Sequence, residues 1–158
     1  MSRKNVFVKI SGDLCFSEEV LKWIGELAKE CFVVVCVGGG TQINEEFEKR
    51  GWEVGEHGSL GREIRDFEKK QFARDILEKN QVRVQELLAG MDIRAEVIIP
   101  VLDIATVLCH LNGDTFVLAA YLGFDAIYVV TTKARVDAKR EHFSEHPKIE
   151  VIGFAPCP

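Results

Sequence analysis

The feature that most constrains the fold is a continuous apolar segment that runs directly into three glycines. Residues 32–37 are FVVVCV, and the glycines occupy 38–40. A run without alternating polar residues is typical of a strand covered on both faces, as the strands of parallel sheets are. A first strand at 6–10 (VFVKI) and an amphipathic helix at 18–31 precede it. The order strand, helix, strand, helix predicts an α/β fold with a mainly parallel sheet.

Later segments continue this alternation of strands and helices. The pattern predicts helices at 41–50, 60–91 and 114–122 and strands at 96–100, 126–130 and 149–154. The charged stretches 61–86 and 133–148 are interpreted as solvated surface. The 158 residues, 47% of them hydrophobic and 28% charged, favour one globular domain over 1–158.

Apolar and small residues recur at intervals of four and three along the 60–91 helix. They are Ala73, Leu77, Asn80, Val84, Leu87 and Met91. The simpler interpretation is that this stripe faces the chain's own sheet, as most amphipathic helices do. A homodimer that packs along this helix is the alternative.

Charge and cysteine content exclude several classes of protein. A net charge of -5 offers no basic footprint for nucleic acid or anionic membranes. No segment has the roughly twenty apolar residues that span a bilayer, and no signal peptide begins the chain, so a cytoplasmic protein is expected. The cysteines are odd in number, contain no C-x-x-C pair and predict reduced core thiols. They are Cys15, Cys31, Cys36, Cys109 and Cys157.

The glycine triplet between a strand and a helix is a candidate anion site. Gly38, Gly39 and Gly40 place unhindered backbone N–H groups at the positive end of a helix dipole. The motif is not a Rossmann fingerprint, because Ile43 replaces the third glycine, and it lacks the G-K-[ST] ending of a P-loop. The alternative is a tight turn without a ligand.

Lys9 stands inside an otherwise apolar strand, where its charge is costly to bury without an anion or an exit to solvent. In an open α/β sheet the ligand crevice lies at the carboxyl ends of the strands, where Lys9, Gly12 and the glycine triplet would converge. Asp114 opens a later helix, where it could be a first-turn acid or could hold Lys9 in position. These residues together point to phosphoryl transfer.

Four segments resemble the amino acid kinase family. Residues 8–13 (VKISGD) resemble its lysine-containing first loop, above all in the uridylate kinase branch. Residues 37–44 (VGGGTQIN) are similar to the second glycine loop of acetylglutamate kinases. Residues 111–125 resemble the family's Asn-Ala-Asp-Thr helix, and 129–133 (VVTTK) its following strand and nucleotide-side loop. The match is good over residues 5–51 and 110–136 and poor between them.

The resemblance implies a three-layer αβα sandwich and ATP-dependent, Mg²⁺-assisted phosphorylation of a small carboxylate or phosphate acceptor. It implies the following site residues: Lys9 and Asp114 for catalysis, Gly12, Gly38, Gly39 and Gly40 for phosphate, Asn112 and His110 for substrate, and Thr131, Thr132 and Lys133 for nucleotide. His110 replaces a substrate-binding Asn of acetylglutamate kinases, so an acylamino acid is not the obvious acceptor.

Two other functions remain open at this point. Family enzymes continue further and there carry a second lysine and much of the adenine pocket, so a catalytically reduced relative that senses a nucleotide or phosphometabolite is the first alternative. A structural module that dimerises through the 60–91 helix is the second. His142 and His146 could share a helix face as metal ligands, but solvated tail residues are the preferred interpretation, and no metal site is predicted.

Overall fold

The computed structural model describes residues 3–105 and 107–156, which form strands and helices in alternation. The strands are β1 (Asn5–Ile10), β2 (Phe32–Val37), β3 (His57–Gly58), β4 (Gly61–Arg62), β5 (Glu96–Ile98), β6 (Val101–Ile104), β7 (Val107–His110), β8 (Ala126–Thr132) and β9 (Ile149–Phe154). The helices are α1 (Glu18–Glu30), α2 (Gly40–Lys49), α3 (Phe67–Gly90), α4 (Gly113–Ala120) and α5 (Val136–His142). Turns of 3₁₀ helix cover Gly12–Leu14, Tyr121–Gly123 and Lys133–Arg135.

Five strands build one sheet in the order β5-β2-β1-β8-β9, and every pair in it is parallel. The predicted α/β fold with a mainly parallel sheet is therefore confirmed. From β1 the chain passes to β2 and β5 on one side, and only later to β8 and β9 on the other. The strand order thus reverses between β1 and β8, which we call the switch point.

Helices cover both faces of this sheet because side chains alternate along β1. Val8 and its neighbours two residues away lie in a core with α1 and the C-terminal half of α3. Phe7 lies in a second core with Val117 of α4 and Phe143, which follows α5. Lys9 shares the second face with Phe7, so it faces α4 and α5.

The segment around residues 57–66 departs from the predicted 60–91 helix. Residues 57–62 form the β3-β4 hairpin instead, and α3 begins at Phe67. Asp66 caps α3, because its side chain accepts a hydrogen bond of 2.9 Å from the backbone N of Lys69. The segment is rich in charged residues throughout, so the sequence pattern did not single out Asp66 as the residue that caps the helix.

Two further segments differ from the sequence-based expectation. The strand predicted at 96–100 is only β5, and the hairpin of β6 and β7 follows it. The polar stretch after residue 130 contains the end of β8 and the helix α5, which ends at His142. His146 therefore lies beyond this helix, where its ring packs edge-on against Tyr121 at 5.2 Å.

The stripe on α3 packs mainly within the chain. Its first four members, Ala73 to Val84, are buried, whereas Leu87 and Met91 are each 37% exposed and Leu88 is buried instead. The predicted packing against the chain's own sheet is right for Val84, which lies in the core with β1 and β2, whereas Ala73 and Leu77 pack with Ile43 and Phe47 of α2. The homodimer stays a prediction.

The core thiol prediction is right for Cys15 and Cys36, which are buried, while Cys31 and Cys109 are half-buried. Cys157 lies outside the described residues. Across residues 3–105 and 107–156, none of the helices combines the length and the hydropathy that a membrane span requires.

Candidate functional site

A cavity of about 510 Å³ opens at the carboxyl ends of β1, β2 and β8, at the switch point. We call it the switch-point cavity. The predicted site residues in its wall are Lys9, Gly12, Gly38, Gly39, Gly40, His110, Asn112 and Thr131. Residues 41 and 113, at the starts of α2 and α4, also line it. The structure thus brings together segments that are distant in the sequence.

Lys9 and Lys139 line this cavity, and the Asp114 carboxylate, which is not part of the lining, lies between their two ammonium groups. The Nζ atom of Lys9 lies 3.5 Å from Oδ1 of Asp114, and both side chains are at most 10% exposed. Lys139 of α5 donates a hydrogen bond to Oδ2 of the same carboxylate. Asp114 therefore holds two ammonium groups, and Lys139 is a member of the site that sequence analysis missed.

The pKa values of these groups reflect their burial and their mutual attraction. Burial lowers the pKa of Lys9 below its ordinary value, and the nearby Asp114 carboxylate offsets this only in part. Burial alone would raise the pKa of Asp114, but the charges of Lys9 and Lys139 outweigh it and hold the pKa below its ordinary value. Lys9 thus carries an incompletely compensated charge that an anion would stabilise.

The loops after β1 and β2 touch each other, which explains two of the glycines. The backbone N of Gly38 donates to the carbonyl of Ile10 at 2.9 Å. A Cβ at Gly38 would lie 2.9 Å from that same oxygen, so a side chain there must displace backbone. The side chain of Gln42 in α2 donates to the carbonyl of Gly12, in the loop after β1, at 3.0 Å. A Cβ at Gly12 would lie 2.7 Å from Oε1 of the same Gln42.

Gly39 and Gly40 differ in what surrounds them. A Cβ at Gly39 would lie 2.6 Å from Cδ2 of Leu77, so this glycine allows α3 to pack closely. A Cβ at Gly40 would meet nothing within 4 Å. Gly40 begins α2, and Gly39 provides no capping side chain. The first N–H groups of α2 are therefore free of a side-chain cap at the cavity wall.

We expect Gly40→Ala to fold normally but to weaken ligand binding, because its methyl group would occupy space beside the N–H groups of α2. Its melting temperature should stay within about 2 °C of the wild type, since alanine suits a helix. The stabilisation by pyrophosphate should fall. Gly38→Ala is the contrasting variant, with a clear loss of stability. Full pyrophosphate stabilisation of Gly40→Ala would contradict this assignment.

The start of α4 packs directly on Lys9. The side chain of Asn112 accepts a hydrogen bond of 3.3 Å from the backbone N of Asp114 and so caps the helix. A Cβ at Gly113 would lie 2.6 Å from Cε of Lys9, so a side chain there would displace the end of this lysine. Asn112 thus has a structural role beside the substrate contact that the resemblance implies.

The β3-β4 hairpin forms a further part of the cavity wall. The backbone N of Asn112 donates to the carbonyl of Leu60 at 2.8 Å, and Thr115 Oγ1 donates to the carbonyl of Ser59 at 3.1 Å. Arg62 of this hairpin lines the cavity, and its guanidinium donates to Asn44 Oδ1 and to a backbone carbonyl. These contacts hold the hairpin against the start of α4 and against α2.

His110 lies on the same side as Arg62. Its Nε2 atom is buried without a hydrogen-bond partner among the described residues. Burial lowers the pKa of His110, and the charges of Lys70 and Arg74 lower it further. A neutral imidazole with an open nitrogen is a suitable contact for a ligand in the cavity.

Three polar side chains join the loops at the mouth of the cavity. Asp13, which follows β1, accepts a hydrogen bond from Thr41 of α2. The second oxygen of Asp13 pairs with Arg135, in the turn after β8. This bridge connects the two strands on either side of the switch point.

The cavity is positively charged in a chain whose net charge is -5. Lys9, Arg62, Arg135 and Lys139 line it. Among the described residues two carboxylates pair with these cations: Asp114 with Lys9 and Lys139, and Asp13 with Arg135. Positive charges therefore remain in excess. An anionic ligand is the chemical class that this wall favours.

No protein-family model matches the sequence, and no curated protein matches it.

The predicted nucleotide residues separate into two groups. Thr131 lines the cavity, but Thr132 and Lys133 do not. Thr132 is buried at the end of β8. The backbone of Lys133 packs against Gly153 of β9, since a Cβ at Gly153 would lie 3.2 Å from the Cα of Lys133.

Among the described residues no three His, Cys, Asp or Glu side chains gather where they could hold a metal ion.

Proposed function

We propose that this chain is a small-molecule phosphotransferase of the amino acid kinase type, with the three-layer αβα sandwich of that family. It would transfer a phosphoryl group from ATP to a carboxylate or phosphate acceptor. The observation that carries this proposal is the buried Lys9 ammonium, which lies beside Asp114 at the switch point, with the starts of α2 and α4 in the same cavity wall. Phosphoryl transfer needs positioning and charge stabilisation more than covalent chemistry.

The donors in the cavity fit the phosphates of ATP. They include ammonium groups and the uncapped N–H groups of α2, which begins at the exposed Gly40. Mg²⁺ is usually held by one or two carboxylates together with substrate phosphates. Asp13 is the carboxylate among the described residues of this wall, and it would have to exchange Thr41 or Arg135 for the ion. The nucleotide would supply the phosphoryl group, and Mg²⁺ would neutralise its charge. Thr131, Thr132 and Lys133 remain the proposed nucleotide residues.

The protein's own groups have distinct roles in this proposal. Lys9 and Lys139 stabilise negative charge on the transferring group, and Asp114 fixes the position of both ammonium groups. The backbone N–H groups of Gly12, Gly39 and Gly40 bind phosphate oxygens. Asn112 and His110 contact the acceptor on the side of the β3-β4 hairpin.

A sensor or regulatory subunit that binds a phosphorylated metabolite is the second candidate. The observation that favours it is the position of Thr132 and Lys133, which lie outside the wall of the cavity, so that only Thr131 of the proposed nucleotide residues lines it. Such a protein would keep the anion site of Lys9 and Asp114 without turnover.

Acceptor-dependent release of ADP tests the phosphotransferase. The protein would be incubated with Mg-ATP and separate panels of carboxylates and nucleoside monophosphates, with hydroxylamine to trap acyl phosphates. We expect ADP release with one panel for the wild type and none for Lys9→Met. Binding of Mg-ATP or of phosphorylated compounds without ADP release from either panel would support the sensor instead.

The proposal also includes a cytoplasmic location and a homodimer.

A further inference from the structure

Two hydroxyl groups lie next to Lys9 at the switch point. Strands β1 and β8 pair Lys9 with Val129 and Ile10 with Val130, and the backbone N of Ser11 donates to the carbonyl of Val130 at 3.1 Å. The next position therefore places Ser11 beside Thr131. Since side chains alternate along a strand, both hydroxyls lie on the same face of the sheet as Lys9.

Both side chains are buried without a partner. Ser11 is 6% exposed and Thr131 is fully buried. Neither Ser11 Oγ nor Thr131 Oγ1 has a hydrogen-bond partner among the described residues, and both residues line the switch-point cavity. Buried hydroxyls in proteins are nearly always hydrogen-bonded, because an unsatisfied one destabilises the fold. A valine at 131 would have the same shape without that cost.

We propose that Ser11, Thr131 and Lys9 form a subsite for the oxygens of a tetrahedral phosphate group. The two hydroxyls donate to separate oxygens, the Lys9 ammonium provides the charge, and the N–H groups of α2 approach from the side of β2. This inference deepens the proposed function and rests on it only for the identity of the phosphorylated ligand. The phosphate could come from a nucleotide or from inorganic phosphate, and the test separates these sources.

The variant Thr131→Val tests the subsite, because stability and binding should change in opposite directions. Its melting temperature without ligand should rise by about 2–4 °C, since an unsatisfied buried hydroxyl is removed. Its Kd for pyrophosphate, measured by calorimetry, should rise about tenfold. Thr131→Ser should bind like the wild type. Ser11→Ala should behave like Thr131→Val, and Ser144→Ala, an exposed position, should change neither quantity.

Several outcomes would overturn the subsite. One is a Thr131→Val protein that melts lower and binds pyrophosphate unchanged, which would make the hydroxyl structural. Another is a wild type that binds neither inorganic phosphate nor pyrophosphate.

If binding depends on Thr131 but ATP yields no ADP with any acceptor, the subsite is supported and the proposed phosphotransferase activity is contradicted. Tighter binding of ATP than of inorganic phosphate, lost in both hydroxyl variants, would assign the phosphate to a nucleotide.

Discussion

Lys9→Met is expected to abolish stabilisation by Mg-ATP or pyrophosphate while the unliganded protein keeps its fold. At about a hundred times its Kd, a ligand stabilises the wild type by about 2.7 kcal/mol, or about 5–10 °C in a domain of this size. The variant should show no shift, because its side chain fills the same space without a charge for the anion. Its unliganded stability should not fall, because burial of the Lys9 charge outweighs the attraction of Asp114 and Asp114 retains Lys139.

The pH dependence of stability gives this variant a second measurement. Because the pKa of Lys9 lies below its ordinary value of 10.5, the unfolded chain binds a proton that the folded chain has lost in the window between the two values. The stability of the wild type should therefore rise with pH there, and Lys9→Met should lack this rise. Lys22→Met, at an exposed lysine, is the matched control. A large loss of unliganded stability in Lys9→Met would make Lys9 a structural residue.

Asp114→Asn should cause the largest loss of stability, about 3–5 kcal/mol at pH 7, because it leaves two lysines without their shared carboxylate. Urea denaturation would measure this loss. Asp125→Asn, at an exposed carboxylate that accepts from the backbone N of Asn5, is the control and should cost much less. Equal stability of Asp114→Asn and the wild type would show that the three charges do not act together.

Acid should remove the difference between Asp114→Asn and the wild type. The pKa of Asp114 lies below its ordinary value of 3.8 because of the two lysines, although burial opposes this shift. Its contribution to stability is fully present above pH 3.8 and is lost as the pH falls through the lower folded value. The two stability curves should therefore approach each other as the pH falls from 3.8 through that lower folded value. The proposed phosphoryl transfer should be absent from the variant at every pH.

The sequence was informative wherever a residue conflicted with its surroundings. A lysine in an apolar strand and three glycines after a buried strand are locally unfavourable, and both turned out to lie at the switch-point cavity. Short hairpins give no such signal, because a two-residue strand such as β3 is too short to show an alternation of polar and apolar residues. Arg62 and His57 were missed for this reason, although both line the cavity.

Lys139 shows a second limit of sequence reasoning. Its stretch is polar and basic, so it was interpreted as solvated surface, yet its ammonium reaches Asp114, 25 residues away in the sequence. A signal did exist in the spacing, because Val136, Lys139 and Phe143 are three and four residues apart and share one side. Val136 and Phe143 pack into the core under this side. Which partner a lysine on that side meets depends on the strand order, which local patterns do not determine.

The central position of β1 has a consequence for folding during synthesis. Its edge toward β2 can pair early, but its other edge pairs with β8, about 120 residues later in the chain. Until the ribosome has released residue 132, a hydrophobic strand edge therefore stays open to other chains. Folding should depend on how fast this late strand is synthesised, and a chain truncated between β7 and β8 should be prone to aggregation.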